Sequence, residues 1–213
     1  MKQIYPDLWQ TTAETHKRLT TYAYLLVRES GNVLLYSSGN SEDHDQIEGL
    51  GGITHQFLSH RDEVGPSLAQ IKERFGAQLC CHALETHAVV KAASVDVEFT
   101  KRGMHLGDIE VIPTPGHTDG STSYLYRSPH GASYLFTGDS IIPKPDGSWG
   151  TIVQSNAGGS AAATRNSLNL LRDLKPDAIC ASGVRIGSPS FHEMAPGEWR
   201  DAVDRALSSL TVS

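Results

Sequence analysis

From Val64 the apolar positions recur at helical spacing: Val64, Leu68, Ile71 and Phe75 fall at i, i+4, i+7 and i+11. That single stripe predicts a helix over Gly65 to Phe75, with Pro66 tolerated in its first turn. The same period predicts helices over roughly Ala161 to Leu174, through Leu168, Leu171 and Leu174, and over "GEWRDAVDRALSSL", through Trp199, Val203, Ala206 and Leu210. "LETHAVVKAA" reads as a further helix. Elsewhere the apolar runs are short and bounded by Gly, Pro, Asp and Ser, which marks strands. "QIYPDLWQTT", "YAYLLVRES" and "VLLYSSG" open the chain; "AQLCCHA", "VDVEFT", "DIEVIPT", "STSYLYR", "SYLFTG" and "PDAICAS" follow. Strands and a helix, then strands and a helix again, suggest two similar halves. The stretch Pro143 to Ala163, "PKPDGSWGTIVQSNAGGSAAA", reads as a long loop rather than a boundary, so residues 1–213 are expected to form a single domain.

Composition narrows the function classes. With 18 Lys and Arg against 24 Asp and Glu, the formal charge is −6, which argues against a nucleic-acid surface as the main business. Cys80 and Cys81 are adjacent, would point to opposite faces of a strand and are poor disulfide partners; with Cys180 they suit a reducing compartment. "MKQIYPDLWQTT" lacks the apolar run of a signal peptide, and "YAYLLV" is too short to span a membrane. The expectation is a cytoplasmic protein acting on a small molecule, without a nucleic-acid or membrane partner.

Three segments carry candidate chemistry. In "IPTPGHTDGS" a strand ends, Pro113, Pro115 and Gly116 bend the backbone, and His117 is presented among hydroxyls. In "YLFTGDS" a buried strand runs into Gly138 and then Asp139, where a carboxylate can approach a cation closely. "SHRDEVG" places His60, Arg61, Asp62 and Glu63 together at a strand-to-helix turn. Alone, each reads as a turn or a charged helix start.

In this order and spacing the three segments resemble the metallo-β-lactamase superfamily, whose Pro-Gly-His-Thr-x-Gly and strand-ending Asp segments "TPGHTDGS" and "FTGDS" match. The resemblance implies an α/β fold, a four-layer αββα sandwich with the site at one edge between two sheets. The family's His-x-His-x-Asp-His motif is met only in part. His60 and Asp62 are kept, Leu58 stands for the first His and Glu63 for the last. Ser182, Gly183 and Val184 supply no imidazole where the final ligand belongs, and Ser37 stands near the place of another family Asp.

The resemblance therefore implies a reduced site. His60, His117 and Asp139 make two imidazoles and one carboxylate, enough for one divalent ion, zinc or iron, with open positions for water and substrate. Glu63 is a further candidate ligand, and Asp62 the residue to orient or deprotonate water. Arg185 is a candidate for holding an anionic substrate, and His82 or His192 for replacing a lost ligand. The loop 143–163, with Trp149, is placed to cover the site. These residues point first to a hydrolase of a small ester, thioester, lactone or amide. A mononuclear iron oxidoreductase of the persulfide dioxygenase type shares the donor set, and a metal-free binding module is the third class.

Overall fold

The computed structural model describes residues 1–210. Its architecture follows from strands that are apolar on both faces and so must be covered twice. Ile109, Val111, Tyr124, Tyr126, Tyr134, Phe136, Ala178 and Cys180 join one buried cluster, whereas their neighbours Ile112, Leu125, Leu135 and Ile179 join another. The alternation is the period of two of a pleated strand.

These residues belong to a six-stranded sheet ordered Gly103–His105, Ile109–Pro113, Thr122–Arg127, Ser133–Gly138, Ala178–Ala181, Phe191–Glu193. Its inner face meets a seven-stranded sheet ordered Lys2–Tyr5, Leu8–Gln10, Tyr24–Leu26, Val33–Leu35, His55–Phe57, Gln78–His82, Val97–Phe99. That second sheet is antiparallel at its start and parallel from Val33–Leu35 onward. Aromatic rings lock the sheets together: Phe57 lies 5.3 Å from Tyr124, and Tyr24 lies 5.8 Å from Phe136.

Helices form the outer layers. They are α1 (Ser41–Gly49), α2 (Ser67–Phe75), α3 (Thr86–Val89), α4 (Ala161–Arg172) and α5 (Glu198–Ser209). Leu68 of α2 and Val89 of α3 pack with Leu58, Leu79 and Cys81 on one outer face. On the other, α4 and α5 bury Leu168, Leu171, Trp199 and Val203 against the six-stranded sheet. The indole N–H of Trp199 donates to the Leu171 carbonyl at 2.9 Å, pinning α5 to α4. Sheet against sheet, with helices outside both, is the four-layer αββα sandwich.

Departures from the sequence reading are local. The opening "QIYPDLWQTT" is two strands, not one, because the chain turns at Pro6 and Asp7. The expected helix over "LETHAVVKAA" shrinks to the single turn Thr86–Val89. Helix α1 was not expected: "SEDHDQIEG" offers only Ile47 to the core, and its start is fixed by the Asn40 side chain, which accepts from the Glu42 and Asp43 N–H groups. Strands Glu14–His16 and Leu19–Thr21 form a hairpin that pairs with Gly183–Arg185. Within the expected loop 143–163, a ribbon of Ile142–Pro143 and Trp149–Gly150 precedes a 3-10 turn at Ser155–Ala157. Trp149 covers no site; it is buried with Trp199 and the α4–α5 layer. No helix among the described residues is long and apolar enough to cross a membrane.

Candidate metal centre

Three segments that follow strand ends meet at one edge of the sandwich. His60 follows the strand His55–Phe57, His117 follows Ile109–Pro113, and Asp139 follows Ser133–Gly138. The imidazoles are 2% exposed, and their rings meet edge to face at 4.6 Å.

Each ring is oriented from behind. Nδ1–H of His117 donates to the Ile152 carbonyl at 3.0 Å. Nδ1 of His60 lies 2.8 Å from Ser59 Oγ, and that hydroxyl donates to Glu63 Oε1 at 2.5 Å. Both imidazoles thus commit Nδ1–H to an acceptor behind them and turn Nε2 toward one point, as metal-ligating histidines do.

Two carboxylates reach the same point. Asp62 Oδ2 lies 3.4 Å from His117 Nε2 and 3.9 Å from His60 Nε2. Asp139 Oδ2 lies 3.7 Å from His60 Nε2 and 3.9 Å from His117 Nε2. One ligand atom each from His60, Asp62 and His117 lies within 4.8 Å of the others. Donors about 2.0–2.2 Å from a tetrahedral zinc stand roughly 3.3–3.6 Å apart. The residues therefore fit a divalent ion of the zinc or iron type, bound by two nitrogen and one or two oxygen donors.

Backbone detail holds Asp139 in place. Gly138 has φ +53°, and a Cβ there would stand 2.3 Å from Ser59 Oγ, so only glycine lets this strand end pass the His60 turn. The Gly138 N–H donates to the Tyr36 hydroxyl at 2.8 Å, and the Gly183 N–H donates to Asp139 Oδ1 at 2.9 Å. Where the family places its final imidazole, this chain supplies that N–H, and Val184 is buried with Ile142 and Ala181.

The charges are strongly coupled. Burial alone would lower the His60 pKa, but Asp139, Glu63 and Asp62 together lift it to about 9. The Asp62 carboxyl is held down to about 2 by its hydrogen bond with His117, against the opposing effect of burial, with help from His60 and Gln154. A folded-state pKa raised above the unfolded 6.5 stabilises the fold fully below pH 6.5, and that stabilisation is lost as pH rises through 9. Metal-free protein should lose up to about 3 kcal/mol between those limits, read as a falling urea midpoint. Metal-loaded protein should not show this loss, because the ion replaces the His60 proton.

Glu63 stands behind His60 rather than among the converging donors; its oxygens accept from the N–H and Oγ–H of Ser59. Arg185 is exposed and lines a separate cavity with Lys144, away from the imidazoles. His192 pairs with Glu198 at 2.9 Å and packs on Trp149, so it does not replace a lost ligand. His82 is half-buried and accepts from the Leu84 N–H at 3.2 Å through Nδ1. Leu58 fills the place of the family's first imidazole with an apolar contact under α2. Ser37 meets Ser67 hydroxyl to hydroxyl at 2.7 Å.

Two features escaped the sequence reading. The Gln154 side-chain amide donates to Asp62 Oδ2 and stands 3.2 Å from His117 Nε2, so it engages the lone pairs an ion would use. Removing it as Gln154→Ala should tighten zinc binding roughly fivefold, about one hydrogen bond's worth, in a chelator competition. Behind the centre, Arg61 turns away from the donors to Glu85 at 2.5 Å and to Asp119. Fully buried Glu85 also accepts from Thr118 Oγ1 at 2.6 Å and the Gly120 N–H at 3.0 Å, which ties the His60 turn to the His117 turn.

Comparison with known proteins gives a consistent result. The family model for the Metallo-beta-lactamase superfamily matches residues 17–184. A metallo-beta-lactamase from Pontibacter korlensis superposes with a TM-score of 0.73 at 15% identity, over 98% of this chain and 97% of that one. ETHE1 from Myxococcus xanthus superposes at 0.64 with 22% identity, over 88% of this chain and 80% of that one. TTHA1623, solved in a di-iron-bound form, superposes at 0.63 with 22% identity, over 83% and 96% respectively. At these identities the structures establish the shared fold.

Proposed function

The chain belongs to the metallo-β-lactamase superfamily, and we propose that it is a metal-dependent hydrolase of a small ester, thioester, lactone or amide, working in the cytoplasm. The observation that carries this reading is the convergence of His60 Nε2, His117 Nε2 and the Asp62 and Asp139 carboxylates, three of which, His60, Asp62 and Asp139, line a cleft. A divalent ion held there would lower the pKa of a bound water to roughly 7 and polarise a scissile carbonyl.

The protein's own groups do the rest. Ser59 and the Ile152 carbonyl keep both Nε2 atoms aimed inward. The Gly183 N–H fixes one Asp139 oxygen and leaves the other facing the imidazoles. Asp62 has an oxygen at the centre and a carboxyl held near pKa 2, so it stays ionised at neutral pH and orients water by accepting its hydrogen bond. Glu63 steadies His60 through Ser59.

A second reading is favoured by the donor set. Two imidazoles with carboxylate oxygens also suit mononuclear iron, so an iron oxidoreductase of the persulfide dioxygenase type shares these residues. The test is to load metal-free protein with zinc and with ferrous iron in parallel. Ester or lactone hydrolysis by the zinc form supports the hydrolase. Oxygen uptake with a thiol persulfide by the iron form alone overturns it.

A further inference from the structure

A cleft of about 460 Å³ is lined by three of the converging donors, His60, Asp62 and Asp139. Its lining includes Glu14, Asp62, Glu63 and Asp139, with hydroxyls such as those of Ser37 and Ser67, and contains no lysine or arginine. His60 Nε2, on a ring 2% exposed, lines this cleft with no hydrogen-bond partner among the described residues. It is the atom that would meet the ion, which places the metal position at the wall of this cleft beside Asp62 and Asp139.

The surrounding cations are committed elsewhere. Arg61 is held by Glu85 and Asp119, and Arg185 and Lys144 line a different cavity. Lys17 and Arg18 occupy the exposed tip of the Glu14–Thr21 hairpin, outside the lining. Glu14 stands at the base of that hairpin. Its Oε1 accepts from Ser38 Oγ at 2.7 Å and the Gly39 N–H at 2.8 Å, while Oε2 takes no hydrogen bond among the described residues.

From this geometry we infer that the cleft selects a cationic or neutral, hydrogen-bond-donating substrate and rejects anionic ones, with Glu14 as the residue that sets the preference. The inference rests on the metal-centre reading and narrows its substrate class. The four lining carboxylates outweigh one divalent ion by about two charges, so the excess stays negative once an ion is bound. Low-dielectric walls focus that field on whatever enters. An ammonium group is attracted and can reach Glu14 Oε2; a carboxylate or phosphate finds no cation in the lining. Arg185, the sequence candidate for holding an anionic substrate, lines a separate cavity and not this cleft.

The experiment uses zinc-loaded protein and three hydroxamates of equal length whose tails end in a primary ammonium, a hydroxymethyl or a carboxylate. Affinity is read by calorimetry at low and high salt, and hydrolysis is read on the matching 4-nitrophenyl esters. The cationic hydroxamate should bind at least about tenfold more tightly than the anionic one at low salt, with the gap narrowing as salt rises. Glu14→Gln, which keeps the oxygen acceptor for Ser38 and Gly39, should shrink the gap several-fold with little change in neutral-tail affinity. Equal affinities, an anionic preference, or no binding by any hydroxamate would overturn the inference. The hydroxamate ranking persisting without ester hydrolysis would sink the hydrolase reading and leave the charge selectivity standing.

Discussion

Replacing His117 with alanine should abolish metal retention and reduce any metal-dependent hydrolysis at least ~10³-fold, the several kcal/mol that a bound ion supplies to such a reaction. His117 contributes one of two imidazoles, and its Nε2 lies within 3.4–3.9 Å of both site carboxylates. Without it, His60 is the one imidazole left at the centre among the described residues, a donor set that holds zinc poorly. The loss should be specific. His117 Nδ1 makes one hydrogen bond, to Ile152, so the variant should fold and keep its far-UV circular dichroism. A folded His117→Ala protein that still binds the ion tightly and hydrolyses ester would show that the centre lies elsewhere.

Glu85→Ala should lower stability by about 2–4 kcal/mol, because it leaves the donors of a fully buried acceptor unpaired while Arg61 keeps Asp119. Glu85 is fully buried and serves Arg61, Thr118 and the Gly120 N–H at once. Its removal leaves the guanidinium with Asp119 as its remaining carboxylate, beside the Leu84 carbonyl, and frees two donors of the His117 turn. For a chain of this length the melting temperature should fall by about 10 °C. Zinc affinity should fall as well, since the two histidine turns lose their common anchor. Glu85→Gln, which keeps the acceptor but not the charge, should lie between. A Glu85→Ala protein with unchanged melting and zinc affinity would remove the network from the account.

How much of this was legible in the sequence depended on how local the signal was. The strands that reach the core on both faces, such as "DIEVIPT" and "SYLFTG", announce themselves by unbroken apolar runs. Helices α2, α4 and α5 announce themselves by a stripe. Helix α1 has no stripe to find: its stability comes from the Asn40 cap and from buried Asp43, which accepts from Thr12 across the fold. Trp149 looked like a lid because it lies in a Gly- and Pro-rich stretch, yet a short ribbon turns it into the α4–α5 core, where so large an apolar surface is better buried.

The same contrast runs through the centre. His60, Asp62, His117 and Asp139 each lie in a short segment whose turn residues show that a side chain is being presented, and the structure brings all four together. Glu63 was harder to place, because a carboxylate three residues after His60 reaches either the Nε2 or the Nδ1 side of the ring. The Ser59 hydroxyl settles it on the Nδ1 side. Gln154 and the Arg61–Glu85–Asp119 network could not be read in advance, since their partners come from segments far apart in sequence. Gln154 reaches the centre because its own N–H donates to the His117 carbonyl at 2.9 Å, a pairing no local pattern encodes.

The most direct test of the central claim is the zinc stoichiometry of metal-free protein, titrated against a chromophoric chelator. About one tightly bound ion per chain is expected, absent from His117→Ala and bound progressively more weakly as pH falls below about 9, where His60 must shed a proton to bind. Binding no tighter than that of His117→Ala at neutral pH would contradict it, and would leave His60, Asp62, His117 and Asp139 as a hydrogen-bonded cluster rather than a metal centre.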